Sequence, residues 1–242
     1  MKKTFLSLVC VFIAATSFAQ KLEVTAGAYS GLFRYSGKSA ESASAINAST
    51  TSFGSYSYTN NPYGNKTGVG FGLSAQGQLV GKGGFIIGLQ AAYEQLKSKI
   101  SIDHVNISDP ISSAPATSVE ATGSTALKNN IINLNPHLGY RISLTKVKLD
   151  ILAGADLGFI NNTRENGSAK GSNGTTYTTD VDRTTITEDF RLRVGIAASV
   201  NKFSLNASYA NGISNYMGGY IGGGSHNAHS KVIRIGIAYR IF

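Results

Sequence analysis

The chain has 242 residues, with 22 Lys and Arg against 13 Asp and Glu, 28 Gly, 12 Tyr, 11 Phe and no Trp; only 14% of its residues are charged. A soluble domain normally carries about 25% charged residues and about 7% glycine, so an ordinary soluble helical domain is excluded. A hydrophobic content of 42% and an aromatic content of 10% exclude a disordered chain as well, and the length suits a single all-β unit.

The N-terminus has the build of a secretory signal. Lys2 and Lys3 precede an apolar stretch from Phe5 to Ala15, and Ser17-Phe18-Ala19 forms a small-x-small cleavage site ahead of Gln20. A spanning helix needs about 20 apolar residues, and this run is too short. Cys10 does not fit a lipoprotein signal, because Val9 stands where a small residue belongs. Residues 1–19 are therefore read as a signal peptide removed near Ala19, and residues 20–242 as one domain. That domain has no cysteine, hence no disulfide, and carries 20 basic against 13 acidic residues, a net +7. The basic residues are dispersed, with no run of five, which argues against nucleic acid as a partner. No later apolar run has the length of a spanning helix, so any membrane crossing must be made by strands.

Alternation with a period of two dominates the rest of the chain, and a strand places such residues on one face. After a less regular first segment at Leu22–Tyr35, the residues Val69, Phe71, Leu73, Ala75 and Leu79 alternate with Gly, Ser and Gln. Phe85–Ile102 follows. Next, Ile132, Leu134, Pro136, Leu138, Tyr140, Ile142 and Leu144 alternate with Asn133, Asn135, His137, Gly139, Arg141 and Ser143. The same split recurs at Val147–Phe159, Phe190–Val200, Phe203–Asn211 and Ile233–Ile241, which predicts eight strands. Short connections (Gly81–Gly84, Thr145-Lys146, Asn201-Lys202) alternate with long polar ones (Ser36–Lys66, Asp103–Leu127, Asn161–Arg183, Ile213–Ala228), so the long ones emerge at one end. A two-residue turn at Thr145-Lys146 sets Tyr140 opposite Ile151, Leu138 opposite Ala153, Arg141 opposite Asp150 and Asn135 opposite Asp156. The Asn201-Lys202 turn sets Val194 opposite Tyr209 and Ala198 opposite Leu205. A one-residue slip would move the charges to the apolar face.

Three features point the apolar face toward lipid. The opposite face is Gly, Ser, Asn and Gln with a few ions, which suits a narrow interior. The aromatics fall at two levels: Phe85, Tyr140, Phe203 and Tyr239 near the short turns, and Phe71, Tyr93, Phe159, Phe190 and Tyr209 higher up. Short turns at one end, long connections at the other and an even strand number complete the pattern of an outer-membrane barrel. The fold class is therefore an eight-stranded, antiparallel, up-and-down transmembrane β-barrel, with a soluble lipocalin-like barrel as the alternative.

The segments Ser17-Phe18-Ala19-Gln20, Asn135-Pro136-His137-Leu138-Gly139-Tyr140-Arg141 and Gly236-Ile237-Ala238-Tyr239-Arg240-Ile241-Phe242 resemble the outer-membrane β-barrel domain family of the Bacteroidota, of the PorT-like kind. The plan is similar to the small OmpA and OmpX barrels. This resemblance implies a Gram-negative outer membrane, surrounding lipid as a partner and Phe242 as the signal read by the barrel assembly machinery. Phe242 departs from the pattern in one respect, sharing its register with Arg240 rather than with Tyr239 and Ile241.

An eight-strand barrel is just wide enough to be filled by its own side chains. The inward set comprises Gln76, Gln90, Glu94, His137, Arg141, Asp150, Asp156, Asp189, Arg191, Arg193, Asn206, Arg234 and Arg240. Buried ions must pair, so this set reads as a polar network that plugs the lumen, with a narrow porin-like pore for small solutes as the alternative. A barrel enzyme acting on lipid is a third reading, but His104, His137, His226 and His229 lack the spacing of a catalytic or metal-binding constellation. The glycine-rich Gly218–Gly224 lacks the lysine and context of a phosphate loop. No cofactor is implied. Phe53, Tyr56, Tyr58 and Tyr63 in the Ser36–Lys66 connection have the composition either of a binding surface or of strands continuing beyond the membrane; a ligand or partner at the long connections is the remaining functional expectation, on a monomer.

Overall fold

A computed structural model describes residues 21–51, 54–108, 116–218 and 226–242. The secretory segment 1–19 and most of the glycine-rich stretch 218–224 lie outside the described residues, as does Phe53. Among the described residues eleven strands form one sheet: β1 (Lys21–Ser36), β2 (Ala43–Thr51), β3 (Gly54–Thr59), β4 (Lys66–Val80), β5 (Phe85–Ser108), β6 (Thr117–Ser143), β7 (Lys148–Gly171), β8 (Thr176–Asp182), β9 (Glu188–Val200), β10 (Phe203–Gly212) and β11 (His229–Arg240). Eight of them pair antiparallel in a circuit, β1–β4–β5–β6–β7–β9–β10–β11, and β11 pairs again with β1 from Thr25 opposite Arg240 to Ser36 opposite His229. The circuit leaves no open edge around the ring.

The hairpin registers follow the alternation. Tyr140 faces Ile151, Arg141 faces Asp150 and Leu138 faces Ala153; Tyr209 faces Val194 and Leu205 faces Ala198. At the Thr145-Lys146 turn the Leu144 amide donates to the Val147 carbonyl at 2.9 Å. Asn201 sits in the left-handed region at φ 54°, which asparagine tolerates better than most residues.

Three connections that read as long polar loops are largely strand. Ser36–Lys66 contains β2 and β3, Asp103–Leu127 contributes its residues 103–108 to β5 and 117–127 to β6, and Asn161–Arg183 holds the end of β7 and β8. Their Ser, Thr and Ala carry little hydropathy contrast between the two faces, so the period of two is invisible in the sequence although the backbone pairs continuously. With 27 residues in β6 and 24 each in β5 and β7, these strands far exceed the roughly 9–11 residues that cross a bilayer. Their upper halves build a protruding sheet, to which β2 adds parallel to β5, β3 antiparallel to β2 and β8 antiparallel to β7. β3 comes round against β8, where the Ser57 hydroxyl donates to the Thr178 carbonyl. This sheet has its own apolar core of Ile46, Ala48, Ile100, Ile102, Val105, Ala121 and Ala169.

Register shifts separate the ring from the protrusion, at Thr67/Phe71 on β4, Asn130/Ile131 between β6 and β7, and Ile102/His104 between β5 and β6. Each inserts an extra residue into one strand of the pair, and on β7 the buried side chains change phase across it. On β7 the buried positions other than glycine are Asp150 and Asp156 below the shift and Thr163, Glu165 and Ala169 above it.

One close approach governs the narrow interior. Tyr29 lies in register with Gly236 on one neighbour and Gly72 on the other, and a Cβ at Gly72 would fall 2.3 Å from Cζ of the Tyr29 ring. The two glycines leave room for the ring, whose face lies 5.9 Å from the Arg234 guanidinium carbon. Gly72→Val should destabilise the folded chain by about 1–3 kcal/mol through overpacking, measured by urea unfolding in detergent micelles. Adding Tyr29→Ala should recover most of that loss; a purely additive double variant would remove the explanation.

Candidate functional site

The outer surface and the interior of the ring have inverted polarity. Phe71, Phe85, Tyr93, Tyr140, Phe159, Phe190, Phe203, Tyr209 and Tyr239 all face outward, between 41% and 67% exposed. Phe85 stands opposite Tyr140, and the Phe203 and Tyr239 rings meet edge to face at 5.2 Å. Leu73, Leu89, Leu138, Ile151, Leu192, Ile196, Leu205 and Ile237 fill the band between these aromatic levels and are equally exposed. The ions, by contrast, are inside: Glu94, Asp156, Asp189, Arg191 and Arg234 are all 2% exposed or less.

These ions form two groups stacked along the lumen. At the short-turn end, Arg141 donates from Nε and Nη2 to the Asp150 carboxylate at 2.6 and 2.7 Å and from Nη1 and Nη2 to Glu23 at 3.0 and 2.8 Å. Arg240 and Gln78 also donate to Glu23, at 2.9 and 3.0 Å. Glu23 is absent from the set read in the sequence because its strand begins only two residues earlier, too few to set a phase. In the middle of the ring, Arg234 Nη2 pairs with Glu94 at 2.8 Å and Asp156 at 2.9 Å, Arg191 Nε with Asp189 at 2.9 Å, and Arg193 Nη1 with Asp156 at 3.5 Å and with the Gln90 side-chain oxygen at 2.7 Å. Each group balances its charge, two acids with two arginines below and three with three above. This is how ions are tolerated away from water.

Between the two groups lies a cavity of about 70 Å³ lined by Gln76, Gln90, Asn135, His137, Arg193 and Asn206, enough for a few water molecules. His137 bonds the Asn135 carbonyl through Nδ1 at 3.1 Å, while its Nε2 and the Asn135 amide nitrogen have no partner among the described residues.

Above the central ions the interior turns apolar and aromatic. Phe33, Tyr35, Tyr63, Leu96, Leu127, Ile131, Tyr216 and Val232 form a buried cluster, in which Tyr35 meets Tyr63 and Tyr216 edge to face at 5.1 and 4.8 Å. Tyr63 and Tyr216 come from connections, not strands, and fold into the mouth of the ring. The Tyr216 hydroxyl donates to Asp189 at 2.7 Å, the Ser230 hydroxyl to the same carboxylate at 3.1 Å and the Asn129 amide to the Tyr35 hydroxyl at 2.9 Å. The cap is thus joined to the ion group. Sequence reading grouped Tyr63 with the surface aromatics and missed Tyr216, because nothing local distinguishes an aromatic that turns inward from one that faces solvent.

Of the remaining singled-out residues, Tyr56 is 56% exposed on β3, and Tyr58 lies under the Arg183 guanidinium at 5.5 Å. His229 bonds the Ser214 carbonyl at 2.9 Å, His104 stands beside Asp103, and Phe242 lies beyond β11, 72% exposed, with its carbonyl accepting from the Val24 amide at 3.1 Å. Among the described residues no group of three His, Cys, Asp or Glu side chains could hold a metal. On the protrusion, Arg164 donates to both Asp180 oxygens at 2.7 and 2.8 Å, which holds the Asp180 carboxyl below its ordinary range.

No family model matches the chain, and no curated protein matches it in sequence; the PorT-like resemblance rests on the quoted segments alone. Among solved structures it is similar to Ail, the attachment invasion locus protein of Yersinia pestis, solved with a heparin analogue (13% identity, 91% of this chain and 99% of that one, TM-score 0.37). It is also similar to Neisserial surface protein A (13%, 89% and 96%, 0.33) and to the translocator domain of the autotransporter NalP from Neisseria meningitidis (10%, 98% and 95%, 0.32). These likenesses are loose, and the fold rests on the strand pairing itself.

Glu94→Ala should cost about 3–5 kcal/mol of unfolding free energy, because it strips Arg234 of a buried partner; urea titration in micelles measures this, and a cost near zero would contradict the burial of the group. Arg164→Gln should let Asp180 titrate higher, in its ordinary range. Since the folded-state value is depressed, the small stabilisation it gives is present at neutral pH and fades as the pH falls through that depressed value. Carboxyl NMR titration reads the shift directly.

Proposed function

We propose that this chain is an integral outer-membrane β-barrel protein of a Gram-negative bacterium. In this reading it has a closed lumen and presents the sheet of β2, β3, β8 and the upper halves of β5–β7 at the cell surface as an interaction surface. The observation that carries the reading is the inverted polarity of the ring. Water would drive the exposed Phe, Leu and Ile inward at about 25 cal/mol per Å² and would solvate the arginines that are instead buried, whereas a bilayer favours the arrangement on both counts. Closure of the ring supports it further, since an unpaired strand edge is not tolerated in hydrocarbon. The secretory-type segment at residues 1–19 fits export, and Phe242 fits recognition by the assembly machinery. The protein acts as a monomer, because the ring is complete in one chain.

The balanced ion groups and the aromatic cap support a sealed interior over a pore. The role then lies with the protruding sheet, whose partner is an extracellular ligand or surface, and catalysis has no part in it. The exported protein should fractionate with the outer membrane and migrate faster on gels when unheated than when boiled. In planar bilayers it should be electrically silent. Recovery as soluble periplasmic material would overturn the membrane reading, and regular single-channel steps would overturn the closed lumen in favour of a narrow pore.

A further inference from the structure

The outer face of the ring carries a second pattern, in cross-strand pairs of like charge. Immediately beyond the outward residue Tyr93, β5 presents Gln95, Lys97 and Lys99 on the same face. Lys99 stands directly opposite Lys66 on β4, Lys97 opposite Lys128 on β6, and Lys128 opposite Arg164 on β7. On the other side of the same stretch, Arg34 of β1 stands opposite Lys231 of β11. Like charges facing each other across adjacent strands destabilise a sheet, so this collar persists against the local energetics. Arg164 is neutralised by Asp180 and Asp182, and Lys66 donates to the Ser101 hydroxyl. Among the described residues the side chains of Arg34, Lys97, Lys99 and Lys231 make no ion pair or hydrogen bond, and Lys128 makes none at contact distance, feeling only the more distant charge of Asp180.

The height of the collar is set by the strands that carry it. At about 3.3 Å per residue along a strand tilted by about 40°, Lys97 and Lys99 stand roughly 10–15 Å above Tyr93, and Arg34 and Lys231 about 5 Å above Leu32 and Ile233. If the exposed apolar band sits in hydrocarbon, the collar falls in the polar layer on the long-strand side, where lipid phosphates lie. We infer that this outward-facing cluster, centred on Lys97, Lys99 and Lys128, binds the phosphate groups of the surrounding outer-leaflet lipid. The inference rests on the membrane-barrel reading. An anion between opposed lysines converts each repulsive pair into two attractive contacts, so the lipid supplies the counter-charges that the chain lacks. The ammonium groups suit this task as point charges on flexible stems that can follow a mobile headgroup.

The test uses the folded full-length protein in non-ionic micelles titrated with bisphosphoryl lipid A or with phosphatidylcholine, for wild type and for the variant Lys97→Gln/Lys99→Gln/Lys128→Gln. Wild type should bind the phosphorylated lipid at least about tenfold more tightly than the variant, and the difference should vanish at about 1 M salt, where the screening length is about 3 Å. Without lipid the variant should be at least as stable to urea as wild type, because its like-charge pairs are gone. A merely structural role for the lysines would reverse that order. Equal affinity of the two proteins for the phosphorylated lipid overturns the proposal. So does displacement of that lipid from wild type by inorganic polyphosphate at equal phosphate concentration, which would assign the surface to a soluble polyanion. Heat-modifiable migration of both proteins separates these failures from a failure of the barrel itself: if wild type lacks it, the membrane reading falls first. Arg34→Gln/Lys231→Gln provides a second variant on different strands and should weaken binding in the same direction.

Discussion

The pairing of the first strand with the last is the constraint on which the rest of the molecule depends. Twelve residue pairs join β1 to β11, from Thr25 with Arg240 to Ser36 with His229, and they convert a meander into a ring. Only after closure is there an inside. A backbone ladder without ends leaves no donor or acceptor unmet around the circumference, and each strand then has one face turned to a narrow interior and one to the surroundings. The same pairing also brings Glu23 near Arg240, so the two ends of the chain supply both halves of an ion contact in the lower group.

Closure makes charge balance compulsory inside. The lumen of an eight-strand ring has little room for water, so an unpaired ion there would be strongly unfavourable. The chain meets this by stacking two neutral groups of carboxylates and arginines, separated by a small polar cavity. An aromatic cluster seals the upper one, and Tyr216 links that cluster to Asp189. The alternation of ionic, aromatic and apolar layers along the axis makes the interior a packed core of mixed chemistry. The exterior has the opposite polarity, with bare aromatics and aliphatics around the band and a collar of cations, several of them without an ion pair, at its upper rim.

The protrusion is continuous with the ring yet distinct from it. β5, β6 and β7 run on without interruption. β6 keeps its odd positions buried throughout, whereas a register shift turns the face of β7, whose even positions Asp150 and Asp156 line the lumen below while its odd positions Thr163, Glu165 and Ala169 face inward above. A bulge does this at the expense of a single unpaired residue. It lets one set of strands serve two interiors of different size, and it lifts the upper sheet clear of the ring as a surface of its own.

Much of the ring was legible in the sequence, because hydropathy contrast between two faces is a local property with a period fixed by strand geometry. Arg141 against Asp150, Val194 against Tyr209 and the outward aromatics all follow from counting residues away from a tight turn. Legibility ended where contrast ended. The Ser-, Thr- and Ala-rich upper strands carry no such signal, so β8 reads as a loop, β2 and β3 are legible only through the aromatic composition of Ser36–Lys66 as strands continuing past the ring, and the register shifts at Asn130/Ile131 and Ile102/His104 have no local marker. Tyr63 and Tyr216, remote in sequence and lying in connections, became a lumen cap only through their inward fold onto Tyr35. The like-charge collar is likewise invisible along the chain, where Lys66, Lys97, Lys99 and Lys128 are ordinary dispersed lysines. Alternation determined which face each strand offers; closure and cross-strand register, which join residues tens of positions apart, decided what those faces meet.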